Sequence, residues 1–208
     1  FQETDVFLDI GSNIGVFTLY AAVIKGVEVI ACDPLPFNHV ALCRNASING
    51  VAHRISAICA AISDAPSTST IFVPQNAETY GGAGVTFGES YDNYQREIDA
   101  KVRLKTIGVS VDELIERYAV PVPNHIKMDI DGIQEKVIRG AENTIKNPAV
   151  RSAMLELQPI NEAHNKAVYD EIMGTMERLG FRLEKVAATT PNMTPDHTKH
   201  PTNNFFVR

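Results

Sequence analysis

Cysteine is scarce. The 208 residues hold three, Cys32, Cys43 and Cys59, and none stands in a C-x-x-C spacing. An odd count without paired spacing gives no basis for a disulfide framework or a zinc site. Cys32 and Cys59 fall inside apolar, strand-like runs, so the expectation is reduced, buried thiols in a cytoplasmic protein. No apolar run approaches the ~20 residues that span a bilayer. No basic-then-apolar signal pattern opens the chain. No Lys/Arg-rich run occurs and the formal net charge is −6, which disfavours a nucleic-acid partner. An initiator Met is also missing, and Phe1 lies almost on top of the first strand. The chain is therefore expected to be a fragment or to lack an upstream helix. There is no internal repeat.

What is present describes a soluble globular protein, with 44% hydrophobic and 21% charged residues. The length suits one domain over 1–208 with a substantial core. Residues 5–10 form an apolar run without alternation, the pattern of a strand covered on both faces. A turn follows, then a helix over Ile14 to Lys25 that Gly26 is placed to end. Val27 to Cys32 reads as a second buried strand, Pro36 to Asn49 as a helix, and Arg54 to Ala61 as a third strand. This β-α-β-α-β order is half of a doubly wound sheet.

Ala65 to Lys105 breaks the pattern. It is rich in Ser, Thr, Gly and Asn, and carries the Gly81-Gly82-Ala83-Gly84 run between two β-like pieces, Thr70 to Val73 and Lys101 to Thr106. A stretch this long without helical periodicity is a functional loop or a mobile segment, here read as a β-rich excursion or lid over the sheet. Ser110 with Glu113 forms a capping box for a short helix ending near Tyr118. The remainder alternates again: strand His125 to Ile130, helix Ile133 to Ile145, strand Val150 to Leu157, helix Ala163 to Leu179, strand Phe181 to Ala187, and a closing strand Asn204 to Arg208.

In an open parallel sheet, ligands bind beyond the carboxyl ends of the strands. Three such ends carry acids. The first strand ends at Asp9 and the turn Gly11-Ser12-Asn13-Ile14-Gly15; the second ends at Asp33; the fourth ends at Asp129 and Asp131. Asp33 lies about 20 residues past the glycine turn, where an acid accepts hydrogen bonds from a ribose diol. Its alternative role is a turn acid before Pro34. The turn is G-x-x-x-G, without the central Gly that lets a pyrophosphate approach the backbone. A nucleoside carrying an amino-acid tail fits better, and S-adenosylmethionine answers that description. Asp9 and the turn carbonyls are acceptors for its ammonium.

Here the chain resembles a known family. Phe7 to Gly15, the Asp33-Pro34-Leu35-Pro36 corner, Ile62-Ser63-Asp64, and Ile126 to Gly132 with Gly140-Ala141 are similar to the FkbM-type methyltransferases. The resemblance runs from Phe7 to about Glu156. It implies a class I, S-adenosylmethionine-dependent O-methyltransferase. It implies a Rossmann-like, doubly wound, three-layer α/β/α fold whose seven-stranded sheet is mostly parallel, with an antiparallel last strand. It also implies that Gly11, Ser12, Asn13, Gly15 and Asp129 line the cofactor, that Asp33 holds its ribose, and that Ser63 and Asp64 sit near its adenine. The acceptor implied is a small-molecule or glycan hydroxyl. One departure stands out. Where the family pattern tends to read Asp-x-Glu-Gly-x-Glu, this chain has Asp129-Ile130-Asp131-Gly132-Ile133-Gln134, with one acid shortened and one lost.

Methyl transfer by direct displacement is mostly positioning, and a hydroxyl acceptor also needs a general base. Asp129, Asp131 and Glu156 are the candidates, ahead of Lys127 and His125. Lys127 alternates with apolar strand residues and reads as a snorkelling or paired cation; His125 reads as a turn histidine. The three acids also have the oxygen chemistry of a Mg²⁺ site, but capping of the following helix and bonds to backbone amides is the preferred reading, and no metal is expected. Tyr80, Tyr91 and Tyr94 in the excursion either wall an acceptor pocket or pack locally. Two other functions stay open: a dinucleotide-dependent oxidoreductase on a similar sheet, and a cofactor-binding module without turnover.

Overall fold

In the first two strands, alternate residues enter opposite apolar layers. The computed structural model describes residues 1–74, 81–82, 84–92, 96–189 and 193–208. From β1 (Val6–Ile10) and β2 (Glu28–Cys32), Leu8, Ile10, Ile30 and Cys32 join one core, while Phe7, Val29 and Ala31 join the other. Burial on both faces removes the need for polar alternation, which is why both strands read as unbroken apolar runs.

Between them lies α1 (Val16–Leu19), which widens into a π-helical stretch over Tyr20–Lys25. After β2 come α2 (Pro36–Ile48), β3 (Ile55–Ile58), β4 (Ala61–Ile62), β5 (Ser67–Pro74), β6 (Thr86–Phe87) and β7 (Ala100–Val109). The second half runs α3 (Val111–Tyr118), β8 (His125–Met128), α4 (Gln134–Arg139), α5 (Glu142–Lys146), β9 (Ser152–Leu157), α6 (Ala163–Arg178), β10 (Arg182–Ala188) and β11 (Thr202–Val207).

The main sheet has seven strands in the order β10-β11-β9-β8-β1-β2-β3. β11 pairs antiparallel with both of its neighbours, and the remaining pairs are parallel. Ala21, Ala22 and Leu42 of the first two helices cover one face. Residues of α3 to α6, among them Leu114, Ile138, Ile145 and Ile172, cover the other. This is the α/β, mostly parallel architecture with an antiparallel strand near the edge that the sequence implies. Beyond β1 on the α1 face, Phe7, Phe17, Tyr20, Met154 and Phe205 line an apolar groove of about 600 Å³. Among the described residues, no helix is long and apolar enough to cross a membrane.

Two elements differ from expectation. The third strand stops at Ile58, and Ala61–Ile62 cross into a second sheet of order β4-β7-β5-β6, built from the excursion. The helix expected over 133–145 breaks at Gly140 and Ala141. Gly140 packs on the Ser63–Asp64 backbone with no room for a Cβ, and its carbonyl accepts from Asp112 N (3.0 Å). The Asp112 carboxylate then caps the second piece, accepting from Asn143 N (3.1 Å) and Thr144 N (2.8 Å). The cap expected at Ser110 is present, its Oγ accepting from Glu113 N at 3.1 Å. Of the thiols expected to be buried, Cys32 is; Cys59, just past the end of β3, is half-buried, and Cys43 is exposed on α2.

Candidate active site

The glycine turn is fixed by the neighbouring strand. Gly11 N and Ser12 N both donate to Cys32 O (2.9 and 3.0 Å), and Gly15 N donates to Ser12 O (2.9 Å). The path needs positive φ at Gly11 (74°), Asn13 (51°) and Gly15 (95°); Asn is among the residues that tolerate this conformation. At Gly11 a side chain is also excluded by space. A Cβ there would penetrate the Asp129 carbonyl oxygen and stand 3.0 Å from Ile130 Cγ2. The turn and the end of β8 are thus in backbone contact.

Asp33 ties the turn to the second strand. Its Oδ2 accepts from Asn13 N (2.9 Å), and its Oδ1 accepts from Leu35 N (2.9 Å) and Asn38 Nδ2 (3.4 Å). Burial raises its proton affinity, and these hydrogen bonds oppose the rise. A carboxylate has about four acceptor positions, so one on Oδ2 is left.

Gly11, Ser12, Asn13, Asp33, Asp129 and Asp131 share a cleft of about 410 Å³ with Phe17, Lys127, Gly81 and Gly82. Gly81 and Gly82 of the excursion form its far wall. Gly81 N donates to Asn38 Oδ1 (2.9 Å), Asn13 Nδ2 to Gly82 O (3.4 Å), and Gly84 N to Asp131 Oδ2 (2.6 Å). Asp131 therefore holds the excursion on the site. Ser12 Oγ is buried without a hydrogen-bond partner among the described residues.

The other expected cofactor residues stand off this cleft. Gly15 lies behind the turn against Leu42. Asp9 is fully buried: its Oδ2 accepts from Thr18 Oγ1 (2.7 Å), and its Oδ1 lies 3.1 Å from Lys127 Nζ, within ion-pair range but off the line of a hydrogen bond. It anchors Lys127 instead of facing a ligand. Ser63 and Asp64 bond each other, Oγ to Oδ1 at 3.1 Å, and pack under Gly140.

Of the proposed bases, Asp129 lines the cleft and Glu156 stands beside it. β8 and β9 pair in parallel with Met128 opposite Leu155, so Asp129 and Glu156 come next in register on one face. The Glu156 carboxyl is pushed up to about 8, first by burial, then by the charge of Asp129 and a hydrogen bond with it, with Asp131 adding to the rise. Lys127, 3% exposed, reaches Asp129 Oδ2 at 3.4 Å and donates to Gly11 O at 3.2 Å. Sequence reasoning ranked it low; the available signal was a cation between apolar strand residues with acids at the two neighbouring strand ends.

His125 is not a simple turn histidine. Its ring lies between Asp5 Oδ2 (3.0 Å) and Ser152 Oγ (2.7 Å) at the opposite end of β8, and burial lowers its proton affinity. Gln134, the neutral residue in the broken acidic pattern, is buried and donates to Ile130 O (3.0 Å), bracing the loop before α4. Tyr91 lines a separate cavity of about 270 Å³ with Gln134, Gln158 and Tyr169. Tyr80 and Tyr94 lie outside the described residues. No group of three or more His, Cys, Asp and Glu among the described residues is arranged to hold a metal ion.

Comparison with known proteins shows the family. A relative from Streptomyces tacrolimicus, 31-O-demethyl-FK506 methyltransferase FkbM, is 26% identical over 182 residues, covering 79% of this chain and 69% of that protein. Hexuronic acid methyltransferase AglP from Haloferax volcanii is 26% identical over 151 residues, covering 70% of this chain and 54% of its own length. The crystal structure of a methyltransferase FkbM from Methylobacillus flagellatus superposes with a TM-score of 0.61 at 18% identity, covering 99% of this chain and 44% of that one. The family model for the methyltransferase FkbM domain matches residues 9–183, and the chain belongs to that family of methyltransferases.

Proposed function

We propose that the chain is an S-adenosylmethionine-dependent O-methyltransferase acting on a small-molecule or glycan hydroxyl. The observation that supports it most is the convergence of the glycine turn, Asp33 and Asp129 on one cleft. The names of two relatives support the acceptor class: one specifies a 31-O-demethyl compound, the other a hexuronic acid.

The residues present fit this cofactor. Asp33 keeps one acceptor position for a ribose hydroxyl beyond its bonds to Asn13, Leu35 and Asn38. Ser12 Oγ is a buried hydroxyl on the cleft wall without a partner among the described residues, the kind of group that a bound polar ligand satisfies. The absent side chain at Gly11 lets the turn close on the Asp129 backbone. Gly11, Ser12, Asn13 and Asp33 would hold the nucleoside and its tail. When bound, the cofactor supplies a methyl group made electrophilic by its sulfonium.

The chain's own contribution to the chemistry is a proton acceptor. An alcohol that receives a methyl group loses its proton, and the Asp129–Glu156 pair takes it. Raising the Glu156 carboxyl to about 8 makes its ionised form a stronger base than an ordinary carboxylate. Asp131 serves the cleft differently, by holding Gly84 across it.

The test is S-adenosylhomocysteine release on incubation with S-adenosylmethionine and panels of hydroxylated small molecules and saccharides. Acceptor-dependent release is expected. Cofactor binding without release on any acceptor would leave a non-catalytic binding module.

A further inference from the structure

Lys127 stands in the middle of the site without a role in the family comparison. It is 3% exposed, and an ammonium so buried is costly unless fully paired. Its Nζ has three polar neighbours: Asp9 Oδ1 at 3.1 Å on β1, Gly11 O at 3.2 Å in the turn that follows, and Asp129 Oδ2 at 3.4 Å just beyond β8. The Phe17 ring closes the remaining side, its centroid 5.0 Å away. These partners are unequal. Asp9 is immobilised, buried opposite Lys127 in the β1–β8 register and held by Thr18. Gly11 and Asp129 line the cofactor cleft.

We infer that Lys127 is a positioning residue for methyl transfer: anchored on Asp9, it holds the Gly11 carbonyl and the Asp129 carboxylate in fixed relation across the cleft. The inference rests on the proposed function. It follows from connectivity. Asp9 sits away from the cleft wall, yet its charge reaches that wall through one cation. The charged groups around the Asp129–Glu156 pair are then Lys127 on β8, Asp9 on β1 and Asp131 on the following loop; α1 contributes the neutral Thr18 and Phe17, and β11 places the neutral Asn203 opposite Glu156. Lys127 is the cation that favours ionisation of Glu156 against burial and the neighbouring acids.

The experiment measures kcat against pH, together with the calorimetric Kd for S-adenosylhomocysteine, in wild type, K127M, K127R and the double variant D9N/K127M. K127M is expected to lose at least about tenfold in kcat and to move the rising limb to higher pH by about one pH unit, as loss of a contacting cation does. K127R keeps the charge and is expected to return the limb towards its wild-type position. In D9N/K127M the buried charge and its counter-charge leave together, so this variant carries the test if K127M does not fold. It is expected to recover unfolding stability while kcat and the limb stay displaced. A double variant with wild-type kcat and pH profile would overturn the inference and reduce Lys127 to a counter-ion for Asp9. So would a folded K127M with an unchanged profile. A wild-type chain that neither binds the cofactor product nor transfers methyl groups overturns the parent function, and this inference with it; turnover in wild type with no effect in K127M overturns this inference alone.

Discussion

Replacing Gly11 by Ala should damage the site by an amount that the geometry partitions. Two costs combine. The backbone sits at φ +74°, where an L-residue is disfavoured by about 1–2 kcal/mol. The added Cβ must also displace the Asp129 carbonyl, whose carbon would lie at 3.0 Å along with Ile130 Cγ2. Neither is the free end of a long side chain, so relaxation means moving the end of β8 or the turn, an overpacking cost of about 1–3 kcal/mol. The sum is about 2–5 kcal/mol. Gly26→Ala isolates the first cost: its φ is +68°, and no atom lies within 4 Å of a Cβ there. Urea unfolding of both variants gives the difference directly. G26A should lose about 1 kcal/mol, allowing for the stiffer unfolded chain, and G11A at least about 1 kcal/mol more. G11A should also weaken cofactor binding, because the atoms it displaces line the cleft. Equal losses in the two variants, with cofactor affinity unchanged in G11A, would refute the tight contact between turn and β8.

Other perturbations have defined outcomes. D33A removes acceptors for Asn13 N, Leu35 N and Asn38 Nδ2, and should weaken S-adenosylmethionine binding at least about tenfold by calorimetry, as loss of hydrogen bonds to a charged group does. Glu156 binds its proton more tightly in the fold, at about 8 against an ordinary carboxyl value of 4.5. The folded state therefore holds more protons than the unfolded chain between those values, and stability should fall as pH rises across that window. E156Q should remove this slope in denaturant titrations at several pH values, and should flatten the rise of methyl transfer through pH about 8. S110A should cost about 1 kcal/mol through loss of the α3 cap, read by urea unfolding.

The sheet was legible because its strands are buried on both faces and write that condition as apolar runs. The glycine turn was legible because Gly11 and Gly15 mark positive φ, and because Asp33 follows at the expected interval. What the sequence hid were relations across the fold. A helical run from 133 to 145 has the right periodicity, but Gly140 is taken by the Ser63–Asp64 backbone and Asp112 starts a second helix after it. Asp9 looked like a ligand acid because it ends a strand; its partners, Thr18 and Lys127, lie on other elements. Asp131 read only as a candidate base, and its grip on Gly84 spans a long sequence separation. Lys127 was undervalued because its contacts with Asp9 and Gly11 come from the neighbouring strand and its turn, which alternation along β8 does not show. The same holds for His125, which sits between Asp5 and Ser152.

The most direct measurement is isothermal titration of the purified chain with S-adenosylmethionine and, in parallel, with NAD and NADP, repeated on D33A. Saturable binding of S-adenosylmethionine that D33A weakens, with no heat from either dinucleotide, is the expected result. No binding of S-adenosylmethionine, or saturable binding of a dinucleotide in its place, would contradict the assignment of the Gly11–Asp33–Asp129 cleft to a methyl-donor nucleoside.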